Sequence, residues 1–201
     1  LFFEKAIQKN ENFYQAYFNM GNAYRALNKL DEAEKSYLKS INIKKNYIEA
    51  INNLGIIFHE KKEYQKAIEI YRKVIQINNN YISAYNNLGN SLFQNGQTQE
   101  AINVFERGID KDPENYKILT DLSNAYKAQG KIDKAINLLK QSIKINPNYA
   151  ESYSYLGNLY NDMGEINKAL KYFNLALTKN NKLKFINYNI AMILYKTNEL
   201  K

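Results

Sequence analysis

Asparagine side chains fall at fixed places in this chain. Asn19, Asn53 and Asn87 stand 34 residues apart, and Asp121, Tyr155 and Asn189 continue the series. Three residues further on come Asn22, Ile56, Asn90, Asn124, Asn158 and Met192, while Asn52 and Asn86 precede two members of the first row. A carboxamide carries both a donor and an acceptor, so a row of them can hold the main-chain amides of an extended peptide without reading its side chains. The chain has 31 asparagines, which makes their placement, and not their number, the informative quantity. Asp121 and Tyr155 interrupt the row and put its strongest stretch over Asn19, Asn53 and Asn87.

Other chemistry finds little to work with. His59 is the single histidine, with Glu60 beside it and no serine or second ligand at a useful sequence spacing. It is expected as a polar contact beside the amides, since a metal site needs several converging ligands and a general base needs an oriented partner. There is no cysteine, which excludes disulfides and thiolate chemistry. No metal, cofactor or catalytic residue is expected, and the chain is read as no enzyme.

The elements that must carry the asparagines follow from a second pattern at the same spacing. Gly21, Gly55, Gly89, Ser123, Gly157 and Ala191 are all small, each preceded by an apolar residue and followed at three residues by another, as in Tyr17-x-x-Met20-Gly21-x-x-Tyr24. Ala33, Ala67, Ala101, Ala135 and Ala169 come next, then Tyr37, Tyr71, Phe105, Leu139 and Phe173. A fixed period of this length signals a solenoid in which each unit buries its apolar face against its neighbours. Spacings of three, four and seven place the apolar residues on one face of a helix. Each unit therefore reads as two short helices, with small residues where the backbones come closest.

Turn residues agree. Gly96, Gly130 and Gly164 fall between the two helices, where a positive φ costs glycine least; Asn28 suits that place and Lys62 departs from it. Pro113 and Pro147 fall just after second helices, where a stop is wanted. The units read as 14–47, 48–81, 82–115, 116–149 and 150–183, with the second half of a preceding unit at 1–13 and the first helix of a sixth at 184–201.

These residues resemble the tetratricopeptide repeat family throughout the chain. The resemblance implies an all-α, right-handed superhelical solenoid of antiparallel helix pairs. Its concave groove would be lined by the second, fifth, sixth, ninth, twelfth and thirteenth positions of each first helix. Asn19, Asn22, Asn53, Asn86, Asn87, Asn90, Asp121, Asn124 and Asn158 are then the peptide-binding residues. The run Asn-Asn-Leu-Gly, at Asn52 to Gly55 and Asn86 to Gly89, is similar to the repeats of O-linked N-acetylglucosamine transferase, in which an asparagine ladder holds substrate segments. Family members that bind a C-terminal carboxylate place paired cations in the groove. The corresponding set here, Phe18, Asn22, Asn53, Ser83 and Asn87, has none, and an unpaired desolvated carboxylate is costly. The resemblance implies a scaffold for a protein or peptide partner; a substrate-recruiting arm of a glycosyltransferase, or an architectural subunit of a larger complex, is the alternative.

The net charge of +8 invites a nucleic-acid reading, but the groove positions carry Arg25, Lys117, Lys127 and Lys196 against Glu49, Glu60, Asp121, Glu151 and Asp162. A nucleic-acid binder would show a continuous basic groove with stacking aromatics, so no such partner is expected. The surplus lies on second helices and the loops after them, as at Lys44, Lys140 and Lys144, where cations meet helix C-termini. With no long apolar run and no signal-like start, the expected setting is intracellular, cytoplasmic or nuclear, with no membrane partner. The half-units at the ends read as a piece of a longer protein. Ile186, Ile190, Ile193 and Leu194 are expected to leave apolar surface through which copies could associate.

Overall fold

A computed structural model describes residues 12–199, apart from the side chains at 184 and 196–199. The leading half-unit around Phe3 and Ala6, and Lys196 among the groove cations, lie outside the described residues. Eleven helices and no strand occur among those described: α1 Tyr14–Ala26, α2 Leu30–Ile43, α3 Ile48–Glu60, α4 Tyr64–Ile77, α5 Ile82–Gln94, α6 Thr98–Lys111, α7 Tyr116–Ala128, α8 Ile132–Ile145, α9 Ala150–Asp162, α10 Ile166–Lys179 and α11 Lys184–Glu199. The chain is an all-α solenoid of repeated helix pairs. Its packing divides within α6 into two compact units, Leu1–Val104 and Phe105–Lys201.

Each unit is built from the small and large residues of the repeat. In the first, Ala33, Ala67, Tyr37 and Tyr71 are buried with Leu54 and Leu88, and Ile51, Val74 and Ala84 form a cluster covered by Ile41, Ile48, Ile70 and Tyr81. In the second, Ala135, Ala169, Leu139 and Phe173 are buried with Leu122 and Leu156. The first and second helices of a pair approach closely at the repeat glycines. A Cβ placed on Gly21 would stand 2.6 Å from the Tyr37 ring, one on Gly55 2.6 Å from the Tyr71 ring, and one on Gly157 2.7 Å from the Phe173 ring. Glycine is therefore required by the partner ring, not by its own backbone.

The turns within pairs repeat one device. Asn28, Lys62, Gly96, Gly130 and Gly164 all have positive φ, between 57° and 81°. The next residue's N–H returns to the carbonyl five residues back, as in Lys29 to Tyr24, Glu63 to Phe58, Gln97 to Leu92, Lys131 to Tyr126 and Glu165 to Tyr160. This is the Schellman arrangement, which closes the open carbonyls of the first helix. A Cβ at any of the three turn glycines would meet nothing, so dihedral preference alone decides the residue there. Between pairs, Asn78, Asn146 and Asn180 fold their side-chain oxygens back onto the N–H two residues on. These three of the 31 asparagines thus serve turn chemistry.

One expectation at the chain's end needs correcting. Ile186 and Ile193 are buried against the preceding pair; the apolar surface of α11 is made instead by Phe185, Tyr188, Met192, Leu194 and Tyr195, each more than a third exposed. α11 packs on α10, and Ile186 and Ile193, seven residues apart and so on one face of the helix, are the ones that this packing shuts in.

Two substitutions separate the two reasons for glycine. Gly55→Ala should cost roughly 1–3 kcal/mol, as overpacking against a fixed ring does, and Tyr71→Leu in the same chain should recover part of that loss. Lys62→Gly should stabilise by up to about 1 kcal/mol, the left-handed strain released less the added freedom of glycine in the unfolded chain. Urea unfolding of the variants measures both; an unchanged midpoint for Gly55→Ala would show that the ring yields freely.

Candidate functional site

The sixth and ninth positions of successive first helices lie side by side in each unit. In the first unit, Asn53 Nδ2 donates to Asn22 Oδ1 at 2.9 Å, and the buried Tyr37 hydroxyl donates to the same oxygen at 2.7 Å. Asn87 Nδ2 donates to Asn52 Oδ1 at 3.2 Å. In the second unit, Asn189 Nδ2 donates to Asn158 Oδ1 at 3.1 Å. The amides therefore pair with one another across repeats. Each such bond fixes the plane of two carboxamides and directs what remains of their hydrogen-bonding capacity, at the expense of one donor and one acceptor.

Exposure sorts the expected residues. Asn19 is exposed, whereas Asn22, Asn53, Asn87, Asn90, Asp121, Asn124 and Asn158 are half-buried. The fifth position varies from repeat to repeat, Phe18 being half-buried and Tyr188 exposed. Asn52, Thr120 and Ser154 are buried there, and Asn86 is half-buried with its Oδ1 sealed from solvent and unpartnered. For the three buried residues the reason is angular: the fifth position is one residue, about 100° of helix turn, from the sixth, and that step carries Asn52, Thr120 and Ser154 into the packing between helices. Thr120 shows what happens there, its hydroxyl meeting those of Ser142 at 2.9 Å and Ser152 at 2.8 Å in a buried cluster.

Two cavities of the first unit adjoin its amides. One of about 690 Å³ is lined by Asn22, Arg25, Ala26, Asn28, Leu30 and Glu60. The other, of about 200 Å³, is lined by Arg25, Ile56, His59, Glu60, Tyr71, Asn87 and Asn90. Arg25 and Glu60 belong to both and form a fork-shaped pair, with Arg25 Nε at 3.0 and 3.2 Å from the two carboxylate oxygens and a terminal nitrogen at 2.6 Å from Oε1. Lys127 and Asp162 pair at 2.6 Å in the second unit. In both, the twelfth position of one repeat meets the thirteenth of the next, a 35-residue spacing that a count of groove charges does not reveal. Arg25 and Lys127 are thus each joined to an acid of the next repeat.

His59 has the serine partner that its sequence neighbourhood lacks. Ser91, a buried residue of α5, donates its hydroxyl to the Asn87 carbonyl at 2.9 Å, so it accepts from His59 Nδ1–H, also at 2.9 Å. The ring stands edge-on to Tyr64, with centroids 5.2 Å apart. Burial holds the imidazole below its ordinary value, while Glu60 pulls the other way. The neutral form is favoured, as a single tautomer. In the second unit, burial and then the Asp121 and Glu151 charges push the Tyr155 phenol up, keeping it a neutral donor. Among the described residues no group of three or more His, Asp or Glu side chains could hold a metal, and no helix is long and apolar enough to cross a membrane.

Comparison with known proteins adds a family. A profile described as "TPR repeat" matches residues 21–61, 57–96 and 123–164. Others, described as "Tetratricopeptide repeat", match 2–35, 92–141 and 150–181. No curated protein matches the chain. Among solved structures, one titled as the MamA protein is 28% identical, with a TM-score of 0.67 over 84% of this chain and 92% of that one. YrrB, titled a TPR protein with an unusual peptide-binding site, is 19% identical, with a TM-score of 0.63 over 93% and 96%. The thermophilic TPR protein TTC0263 of Thermus thermophilus is 21% identical, with a TM-score of 0.80 over 90% and 99%. At such identities the last two are likenesses of fold.

The His59 environment has a pH signature. Because its folded value lies below the ordinary 6.5, the unfolded chain takes up the proton first as pH falls. This contribution to stability is full above about 6.5 and is lost as pH drops through the folded value. Urea unfolding at pH 7.5 and pH 5.5 should show a decline in the wild-type chain that is smaller in His59→Gln. An equal decline in both would mean that the ring is solvated.

Proposed function

From its membership of the tetratricopeptide repeat family, to which this chain belongs by the matches along its length, we propose that it is a protein-interaction scaffold holding an extended peptide along its first helices. In the first unit Asn19, Asn22, Asn53, Asn87 and Asn90 take the main chain of that peptide; in the second, Asp121, Asn124 and Asn158 play this part. Asn86 contributes through its amide nitrogen alone, its Oδ1 being sealed. The observation that carries the reading is the cross-repeat pairing of Asn53 with Asn22 and of Asn87 with Asn52. Paired amides stand ready in one orientation, so a peptide binding to them need not order them first.

The groove charges set what kind of peptide this is. Arg25 is engaged by Glu60 and Lys127 by Asp162, so a partner would have to break a formed pair to dock a charge on either. A neutral stretch of partner, held by main-chain bonds, fits such a surface. YrrB is a fold-level likeness whose title records peptide binding, and it supports this class of partner.

The test begins with linear peptides selected from a random display library on the immobilised chain. The most enriched peptide is then measured by fluorescence polarisation. Asn53→Ala with Asn87→Ala should weaken it by roughly 1–3 kcal/mol, about 5- to 150-fold, given about 1 kcal/mol net for each lost hydrogen bond. The double variant should also lose roughly 1–2 kcal/mol of stability, since two cross-repeat bonds go with it. Binding is therefore read well below the onset of unfolding. Raising the salt should change the affinity little, because Arg25 and Lys127, the groove cations nearest the amides, are already paired. Equal affinity for wild type and variant would remove the amides from the interaction.

A further inference from the structure

The fourth repeat breaks the pattern at two places, and the fifth at a third that meets them. Where other pairs set glycine against an aromatic ring, the fourth has Ser123 and Leu139, and where four other repeats have asparagine at the sixth position, the fifth repeat has Tyr155. The first two changes imply each other. A Cβ at the glycine position would collide with a ring, at 2.6–2.7 Å in the three pairs where the approach is described; Ser123 has that Cβ, and Leu139 is short enough to admit it. Leucine does not fill the volume of a ring, however. A cavity of about 50 Å³ remains, lined by Ser123, Asn124, Lys127, Leu139, Tyr155, Asn158 and Leu159.

The lining sorts into floor and rim. Ser123, Leu139 and Leu159 are 2% exposed or less, whereas Asn124, Lys127, Tyr155 and Asn158 are half-buried. The floor is less polar than its residue names imply, because the Ser123 hydroxyl donates to the Thr120 carbonyl at 2.6 Å. On the rim, the Lys127 ammonium is taken by Asp162 at 2.6 Å, which leaves its methylene stem as wall. Asn158 is fixed by its bond from Asn189 at 3.1 Å. One water needs roughly 10–15 Å³ on this scale, so the cavity holds about four water-sized groups. That is the size of a branched aliphatic side chain of three or four carbons; an aromatic ring is too large, and a methyl group leaves the floor uncovered.

We infer that this cavity is a specificity pocket of the peptide groove, taking one valine-, leucine- or isoleucine-type side chain of a bound peptide whose main chain lies on Asn124 and Asn158. The inference rests on the peptide-binding reading above and adds a side-chain preference to it. The amides alone hold any sequence. The pocket sets the register of the peptide on the second unit.

The probes are N-acetyl-L-leucine N-methylamide and its glycine and phenylalanine counterparts, titrated at millimolar concentration into the full 201-residue chain. Nuclear magnetic resonance follows the Leu159 methyl groups and the Asn124 and Asn158 side-chain amides. The leucine probe should shift all of them saturably, with the other two at least fivefold weaker. Ser123→Gly with Leu139→Phe restores the pair used by the other repeats, so it should fold with an unfolding midpoint near that of the wild type while filling the cavity; the leucine response at Leu159 should disappear. Glycine and leucine probes acting equally on the asparagines would overturn the pocket and leave the main-chain reading standing. A leucine response that survives in the double variant would place the probe elsewhere and also overturn it. No response to any probe would overturn the pocket and, with it, the amide reading in the second unit.

Discussion

Three of the helix pairs are arranged around the contact between a glycine of the first helix and a ring of the second, and the remainder of the fold follows that spacing. At Gly21, Gly55 and Gly157 the ring lies where a side chain would otherwise begin. That closeness sets the spacing of the pair, buries the ring and fixes the helix face left for the groove. It also ties the groove to the core directly, since the Tyr37 hydroxyl reaches past Gly21 to the Asn22 amide. The same residue packs the pair and orients a candidate ligand-binding group. Burial raises the Tyr37 phenol, so it stays a donor at neutral pH.

The cross-repeat amide bonds have two consequences that pull against each other. They add to the cohesion of a stack whose stability is a sum of neighbour contacts, and each fixes the orientation of a carboxamide that a ligand would otherwise have to order. They also use part of the donor and acceptor capacity that a peptide would take. Asn22 Oδ1 accepts two bonds within the protein, which fills its lone pairs. What Asn22 can offer a peptide is its amide nitrogen, so the ladder is directional at that rung.

The helix pairs, their turns and the buried rings were legible in the sequence because the constraints behind them are local and recur every 34 residues. Even the odd residue, Lys62, adopts the positive φ of the glycines that replace it elsewhere. Partnerships within the site were not legible. Whether Asn53 meets the residue 31 before it while Asn87 meets the one 35 before it depends on rotamers, not on spacing. His59 and Ser91 come from different repeats, and no local motif joins them. Asn52 shares a residue type with the groove but faces the packing. A signal for the ion pairs did exist, in the 35-residue step from Arg25 to Glu60 and from Lys127 to Asp162.

Those ion pairs show how a basic chain can present groove cations that are already engaged. Each pair is about a third to a half exposed, so its net contribution to stability is small, roughly 0–1 kcal/mol. Its larger effect is on recognition: a carboxylate or phosphate arriving at Arg25 must displace Glu60, which already offers the same bidentate geometry. Discrimination by charge is therefore suppressed where the amides lie, and selectivity falls to shape and hydrogen bonding. Two adjacent repeats that keep the stack but depart from the others at Ser123, Leu139 and Tyr155 supply shape at one defined place. In a periodic scaffold, positions that match the period hold the fold, and correlated departures from it are where a groove acquires a sequence preference.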